Sequence, residues 1–259
     1  MVDPTRGVLY PSHLPTFHRL APDAEAADAV AWFWIPEWRL PEGAVSRQEL
    51  VSYPAVNLVV APEGVTISGA TTRASTRELR GAGWAVGALL RPAAVAALVD
   101  DAAVLVDAEH PFDAPDLHAA VTAAMGRDER HRETAVSAFS AWLSQRIGPL
   151  GAAGWQANAL VDVLWGERAA LTPEEAATRL AVSVRTLQRL THRTVGLAPG
   201  AIIRRRRLQE AAQRLRDEPE TDLAALAAAL GYADHAHLSR DFSAVLGLPP
   251  RDYRARASG

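Results

Sequence analysis

The stretch from Leu180 to Pro250 contains one short pattern twice, and an internal repeat limits the fold more than any other feature of a chain. The first copy reads LAVSVRTLQRLTHRTVGLAP, from Leu180 to Pro199, and the second LGYADHAHLSRDFSAVLGLPP, from Leu230 to Pro250. Leu180 aligns with Leu230 and Ala181 with Gly231, at an offset of 50. Leu187 then aligns with Leu238, Arg189 with Arg240, Gly196 with Gly247 and Pro199 with Pro250, at an offset of 51. The second copy has one extra residue in its turn.

Each copy predicts a helix, a short turn and a second helix. Pro173-Glu174-Glu175 opens the first helix of the first unit, because Pro suits the first helical position and acids suit the positive end of the dipole. Ser183 stands where an N-cap belongs. Beyond it Val184, Leu187 and Leu190 recur at helical spacing and face inward. That leaves Arg185, Thr186, Gln188, Arg189 and His192 outward. In the second unit Leu223, Leu226, Ala227 and Leu230 build the first helix and Asp234 is the cap. Leu238, Phe242 and Val245 then face the core, while His235, Ala236, His237, Ser239 and Arg240 look outward. Arg, Gln, Ser and Thr are side chains that read base edges, and a helix is the element that fits a major groove. Between the copies, Pro199-Gly200 breaks the chain and a helix over 201–216 follows. Two reading helices held on one stiff helix suit B-DNA if they lie about 34 Å apart, one turn of the duplex.

These residues carry a resemblance. From about Gly154 to Arg256 the chain resembles the DNA-binding domain of the AraC/XylS family of bacterial transcription regulators. The matching stretches are LTPEEAATRLAVSVRTLQRL, RRRRLQEAAQRLRDEP and LAALAAALGYADHAHLSRDFSAVLGLPPRDYR. The resemblance implies seven helices over 152–257, with helix-turn-helix units at about 171–195 and 222–246. It implies base readers at Arg185, Thr186, Gln188 and Arg189, and at Ala236, His237, Ser239 and Arg240, with His235 beside them. Thr191, Ala236 and Leu238 depart from the family's usual Phe, Ser and Phe. Arg193 is a candidate phosphate contact. The implied partners are double-stranded DNA, a small-molecule effector, RNA polymerase if the protein is an activator, and a second copy of the chain.

Charge agrees once it is divided. Residues 1–150 hold 12 Arg and 18 acids, whereas residues 151–259 hold 15 Arg and 12 acids, so the basic excess lies in the repeat-bearing half. The excess is modest, which leaves work for base contacts and helix N-termini beside bulk phosphate attraction. The run Arg204-Arg205-Arg206-Arg207 points all round a helix, so its members cannot share one task. One or two of them are phosphate candidates, and another is expected to pair with Glu210. There is no cysteine, which excludes disulfides, thiolate zinc sites and cysteine nucleophiles. No apolar run reaches the ~20 residues of a membrane span, and MVDPTRGVLY lacks the apolar core of a signal peptide. A cytoplasmic protein is expected.

Residues 1–27 are Pro-rich and irregular, with one candidate strand at 7–10. From residue 30 to 110, short strands divided by Gly and Pro turns give the pattern of a small barrel or sandwich. Strands are expected at 7–10, 30–40, 48–52, 56–61, 65–68, 76–80 and 84–90, and a short helix at 92–100. Pro36 should turn the far end of the 30–40 strand into an edge. The stretches YPAVNLVV, VTISGA and LRGAGWAVGALLRPAA resemble the cupin-like sensory domain that often precedes such DNA-binding domains. The whole is thus expected to be an α+β multidomain protein: a small cupin-like β-barrel with helices, then an all-α domain of seven helices. Over 111–151, Leu117, Val121 and Met125 form one apolar stripe and Ala135, Phe139, Trp142, Leu143 and Ile147 another. They suit a dimer seam or packing on their own barrel. Gly148-Pro149-Leu150-Gly151 reads as a hinge.

Trp32, Trp34 and Trp84 are the effector-binding candidates, with core packing as the alternative. His13, His18, His110, His118 and His131 show no HxH or HxxxH pair, and His235 and His237 are an HxH pair on the outward helix face, so no metal site is expected. Gly81-x-Gly83-x-x-x-Gly87 misses the dinucleotide-loop spacing and is better explained by bends in a strand. No GxSxG elbow or marked carboxylate pair appears, and no catalytic residue or cofactor is expected. Two alternatives stay open: a cupin-type enzyme with an appended DNA-binding domain, and a barrel that serves only as a protein-interaction module.

Overall fold

The computed structural model describes residues 16–50, 53–127, 130–166 and 169–257. The strand expected at 7–10, the end of the 48–52 strand and His13 lie outside the described residues.

Among the described residues, nine strands and three α-helices make the sheet region. The strands are β1 (Thr16–Leu20), β2 (Val30–Arg39), β3 (Val45–Leu50), β4 (Asn57–Ala61), β5 (Gly64–Ser68), β6 (Ser75–Arg80), β7 (Ala82–Trp84), β8 (Val86–Leu90) and β9 (Glu109–Pro111). The helices are α1 (Pro92–Leu98), α2 (Pro115–Met125) and α3 (His131–Ile147). Seven helices follow: α4 (Ala152–Trp165), α5 (Pro173–Arg179), α6 (Val184–Val195), α7 (Pro199–Asp217), α8 (Leu223–Ala229), α9 (His235–Leu246) and α10 (Pro250–Ala257). An antiparallel sheet region followed by a helical region is the expected architecture. Strand β1 was hidden from sequence reasoning: TFHRL falls in a Pro-rich stretch that reads as irregular.

The main sheet is antiparallel throughout, in the order β1-β2-β8-β4-β5-β9, with β7 beside the far end of β2. β3 and β6 form a separate ribbon. That ribbon is tied to β2, where Trp38 Nε1 donates to the Arg80 carbonyl at 3.1 Å, and to β9, where Arg77 pairs with Glu109.

Side chains alternate across the sheet. Phe33, Ile35, Leu58, Val60, Val65, Ile67, Val86 and Ala88 share one buried face, covered by Leu117, Val121, Phe139 and Leu143 of α2 and α3. Phe139 has no exposed surface and its ring lies 5.3 Å from that of Phe33. Truncating such a side chain to Ala costs about 3–5 kcal/mol. The apolar stripes of α2 and α3 are therefore spent on their own sheet. Packing on their own sheet is one of the two arrangements expected for them.

Pro36 does not make an edge. Glu37 pairs with Thr16 of β1 on one side and with Trp84 of β7 on the other. The reason is local. The Pro36 carbonyl accepts from Ala85 N at 3.1 Å, and Ala85 is the break between β7 and β8. A residue's N–H and C=O point to the same side of a strand, so the donor that proline lacks falls where the ladder is already interrupted.

The two regions touch at several points, and hydrogen bonds join them at some of these. Asn158 of α4 is buried; its Oδ1 accepts from Ala93 N at 3.0 Å and its Nδ2 donates to the Asp28 carbonyl at 2.7 Å. Ala74 N donates to the Val245 carbonyl at 2.8 Å. Arg205 of α7 is also buried; it donates to Thr71 Oγ1 at 2.7 Å and to the Arg73 carbonyl at 3.2 Å. Burial lowers the Arg205 pKa to about 10, so its guanidinium stays charged at neutral pH.

Candidate nucleic-acid interface

The repeat is reproduced in the backbone. Ala181 and Gly231, the aligned pair, both have positive φ, at 52° and 71°. In each unit the next residue's N–H closes the turn: Val182 N donates to Ala177 O at 3.0 Å and Tyr232 N to Ala227 O at 2.9 Å. Ser183 Oγ then caps α6 by accepting from Thr186 N at 3.1 Å, and Asp234 Oδ1 caps α9 by accepting from His237 N at 2.6 Å. That bond holds the Asp234 carboxyl below its ordinary pKa. Both second helices end on a left-handed glycine, Gly196 at φ 83° and Gly247 at φ 81°. Pro199 and Pro250 each open the helix that follows.

Of the expected inward residues, Leu187, Leu238, Phe242 and Val245 are buried, while Val184 and Leu190 are half-buried. Thr191, Thr194 and Val195 of α6 are buried as well, as is Leu246 of α9. Thr191 fills its buried position with a hydroxyl bonded to the Gln188 carbonyl at 3.2 Å, which is how a Thr is accommodated there.

The outward faces are open. Arg185, Gln188 and Arg189 are exposed and lie on one side of α6, at i, i+3 and i+4. Arg193 is exposed near the end of the same helix. Thr186 is half-buried, and its hydroxyl lies 2.9 Å from Ser183 Oγ, so it is engaged in the cap. On α9, His235, Ala236, His237 and Arg240 are exposed and Ser239 is half-buried. The His237 ring stands edge-on to Tyr232 with centroids 5.1 Å apart, which orients it. Among the described residues, the guanidiniums of Arg185, Arg189, Arg193 and Arg240 form no ion pair with an acid. Four unpaired arginines on exposed helix surfaces are available to an anionic partner.

The arginine run has another task. Arg205 and Arg206 are buried. Arg206 pairs with Glu210 at 3.3 Å, as the sequence suggests, and Arg205 reaches the sheet region. Arg207 donates to the carbonyls of Leu171 and Gly231. Arg204 alone is exposed, 3.8 Å from Asp241. The run is mainly internal scaffolding, a role that a string of identical residues does not reveal.

The tryptophans divide. Trp32 and Trp34 lie on the sheet face turned away from α2 and α3. There Trp34 Nε1 donates to Asn57 Oδ1 at 3.0 Å, and its ring covers Gly87, where a Cβ would fall 2.1 Å from Trp34 Cε2. Trp32 stacks edge-on with Tyr53 at 4.8 Å, under the Arg19 guanidinium at 5.1 Å. Trp84 packs instead against the core on the opposite face. Three effector candidates thus reduce to two on one surface. The glycines of 81–87 find their reason here: Gly81 turns at φ 56°, and Gly83 and Gly87 make room for the rings of Trp38 and Trp34. Among the described residues no group of three or more His, Cys, Asp or Glu could hold a metal ion.

A helix-turn-helix domain family matches residues 176–256, and a domain of unknown function, DUF6597, matches residues 18–109. A putative AraC-like transcription regulator of Streptomyces lividans is 36% identical over 124 residues, 48% of this chain and 39% of that protein. The HTH-type transcriptional activator RhaS of Pectobacterium carotovorum is 30% identical over 115 residues, 44% of this chain and 38% of that protein. The chain thus spans about two fifths of the length of these relatives. The crystal structure of ToxT from Vibrio cholerae superposes with a TM-score of 0.42 at 12% identity, covering 87% of this chain and 99% of that one, an overlap too loose to argue from. The helix-turn-helix match falls on the duplicated unit, whose caps, turns and open helix faces have just been described. Over about half of its length this chain is thus similar to AraC-like transcription regulators, and over residues 176–256 it matches a helix-turn-helix domain family.

Proposed function

We propose that the protein is a sequence-specific DNA-binding transcription regulator acting in the cytoplasm. The observation that carries this reading is the pair of matching units, each presenting a capped helix whose polar face is exposed. Arg185, Gln188 and Arg189 of α6 are the base readers of the first unit, with Thr186 at its cap and Arg193 on phosphate. Ala236, His237, Ser239 and Arg240 are those of the second, beside His235. The DNA-binding domain spans about 152–257, the sensory domain 1–110, and 111–151 lies between them. We assign no catalytic step. No helix among the described residues is long and apolar enough to cross a membrane.

Control by the sheet region has a direct physical route. The C-terminal ends of both reading helices rest on it. A Cβ at Gly196, just past α6, would fall 2.6 Å from the Ala102 carbonyl, and the Val245 carbonyl near the end of α9 accepts from Ala74. A ligand on the Trp32–Trp34 face that shifts the 70–74 or 101–107 segments would move the attached helix. A second reading is that this face takes no small molecule, because Trp34 already fills the space over Gly87 and is bonded to Asn57. Site selection from a random duplex library, with the full chain, tests the DNA-binding claim: enrichment of a defined sequence supports it, and none at low salt contradicts it. A thermal-shift screen of metabolites separates the two readings of the sheet, since a ligand of the folded state raises Tm. RNA polymerase and a second copy of the chain remain partners for an activator and a dimer, the latter through a surface other than the α2–α3 stripes.

A further inference from the structure

We propose that Arg207 sets the distance and angle between the two reading helices, and so the spacing of the two half-sites that the protein accepts. The inference rests on the two-unit DNA reading above. Arg207 lies on α7, the helix joining the units. Its Nη2 donates to the Leu171 carbonyl, one residue before Thr172 caps the first unit, and its Nη1 to the Gly231 carbonyl at 3.3 Å, in the turn of the second. A guanidinium is planar with its donors in a fixed fork, so one rigid group holds a backbone atom of each unit. Tyr232 lies beside it, with its ring centroid 5.5 Å from Arg207 Cζ.

The units meet at this point. A Cβ built on Gly231 would stand 3.4 Å from Arg207 Nη2 and 3.6 Å from Leu171 Cδ1. The other arginines of the run do different work: Arg205 leaves toward Thr71, Arg206 serves Glu210 and the Ala170 carbonyl on the first unit's side, and Arg204 faces Asp241. Arg207 bridges the first unit to the turn of the second.

One base pair inserted between half-sites shifts the second by about 3.4 Å and rotates it by about 34°. A rigid joint cannot follow that change, whereas a loose one can. Arg207 therefore governs specificity without touching a base. The test begins with a two-part site selected by the wild-type full chain, into which one base pair is then inserted between the parts. Wild type should lose about tenfold or more in affinity, the loss of one unit's base contacts. Arg207→Met should lose no more than about threefold on the same insertion, while its affinity for a duplex bearing one half-site stays within about twofold of wild type. Arg207→Lys, which keeps the charge and reaches one carbonyl at a time, should fall between them and carries the comparison if the Met variant does not fold. A wild-type insertion penalty in the folded variant overturns the proposal alone. A wild-type chain that selects no sequence, or a site of one part, removes the two-unit reading and the proposal with it.

Discussion

Ala181 and Gly231 hold the same left-handed turn in two helix-turn-helix units, at φ 52° and 71°. A side chain in that conformation costs about 1–2 kcal/mol, partly offset by the smaller backbone entropy that alanine loses on folding. The two positions should therefore respond in opposite directions. Ala181→Gly is expected to stabilise by up to about 1 kcal/mol and Gly231→Ala to destabilise by about 1 kcal/mol. Denaturant midpoints at unchanged m-value check both. Equal signs would show that the turns are not equivalent.

The two caps should differ in their response to acid. Asp234 has a lowered carboxyl pKa because its carboxylate accepts the His237 N–H. A group held low in the folded state stabilises it above the ordinary value of 3.8, and that contribution disappears as the pH falls through the lower folded value. Ser183 does not titrate. Asp234→Asn keeps an acceptor for the cap and should flatten the acid limb of stability against pH relative to wild type. An unchanged acid limb would show that the bond is not formed in solution.

Arg189→Ala and Arg240→Ala should each cost about 1–3 kcal/mol at a selected site, with little change in Tm. Both side chains are exposed, so no core contact is lost. Titration on selected and random duplexes separates their roles. Equal losses on both would mean that these arginines hold phosphate and do not read bases.

Asn158 should be the costliest polar position between the two regions. Asn158→Ala leaves the Ala93 N–H and the Asp28 carbonyl without their partner. Each such group costs about 1–3 kcal/mol when it stays buried. A loss of about 2 kcal/mol or more in urea unfolding is expected, and a loss near zero would mean that α4 is not seated on the sheet region.

The duplicated unit was legible because its signals are local. Ser183, Asp234, Gly196, Gly247 and Pro199 act within a few residues of themselves, and each stands at its expected cap or turn. The same holds for the strand–turn rhythm of β4 and β5. What stayed hidden depends on partners far along the chain. Nothing near Arg205 or Arg207 in sequence announces Thr71, 134 residues away, or Gly231. Pro36 reads as an edge in the sequence because the break at Ala85 that accommodates it lies far along the chain, between β7 and β8. Trp84 was grouped with Trp32 and Trp34 because residue type does not reveal which face of a sheet a separate strand presents.

Hydroxyl-radical footprinting of the full chain on a selected duplex tests the central claim most directly. The account predicts two protected patches on one face of the duplex, about 10 base pairs apart, one for each reading helix. A single patch, or two patches on opposite faces, would contradict it.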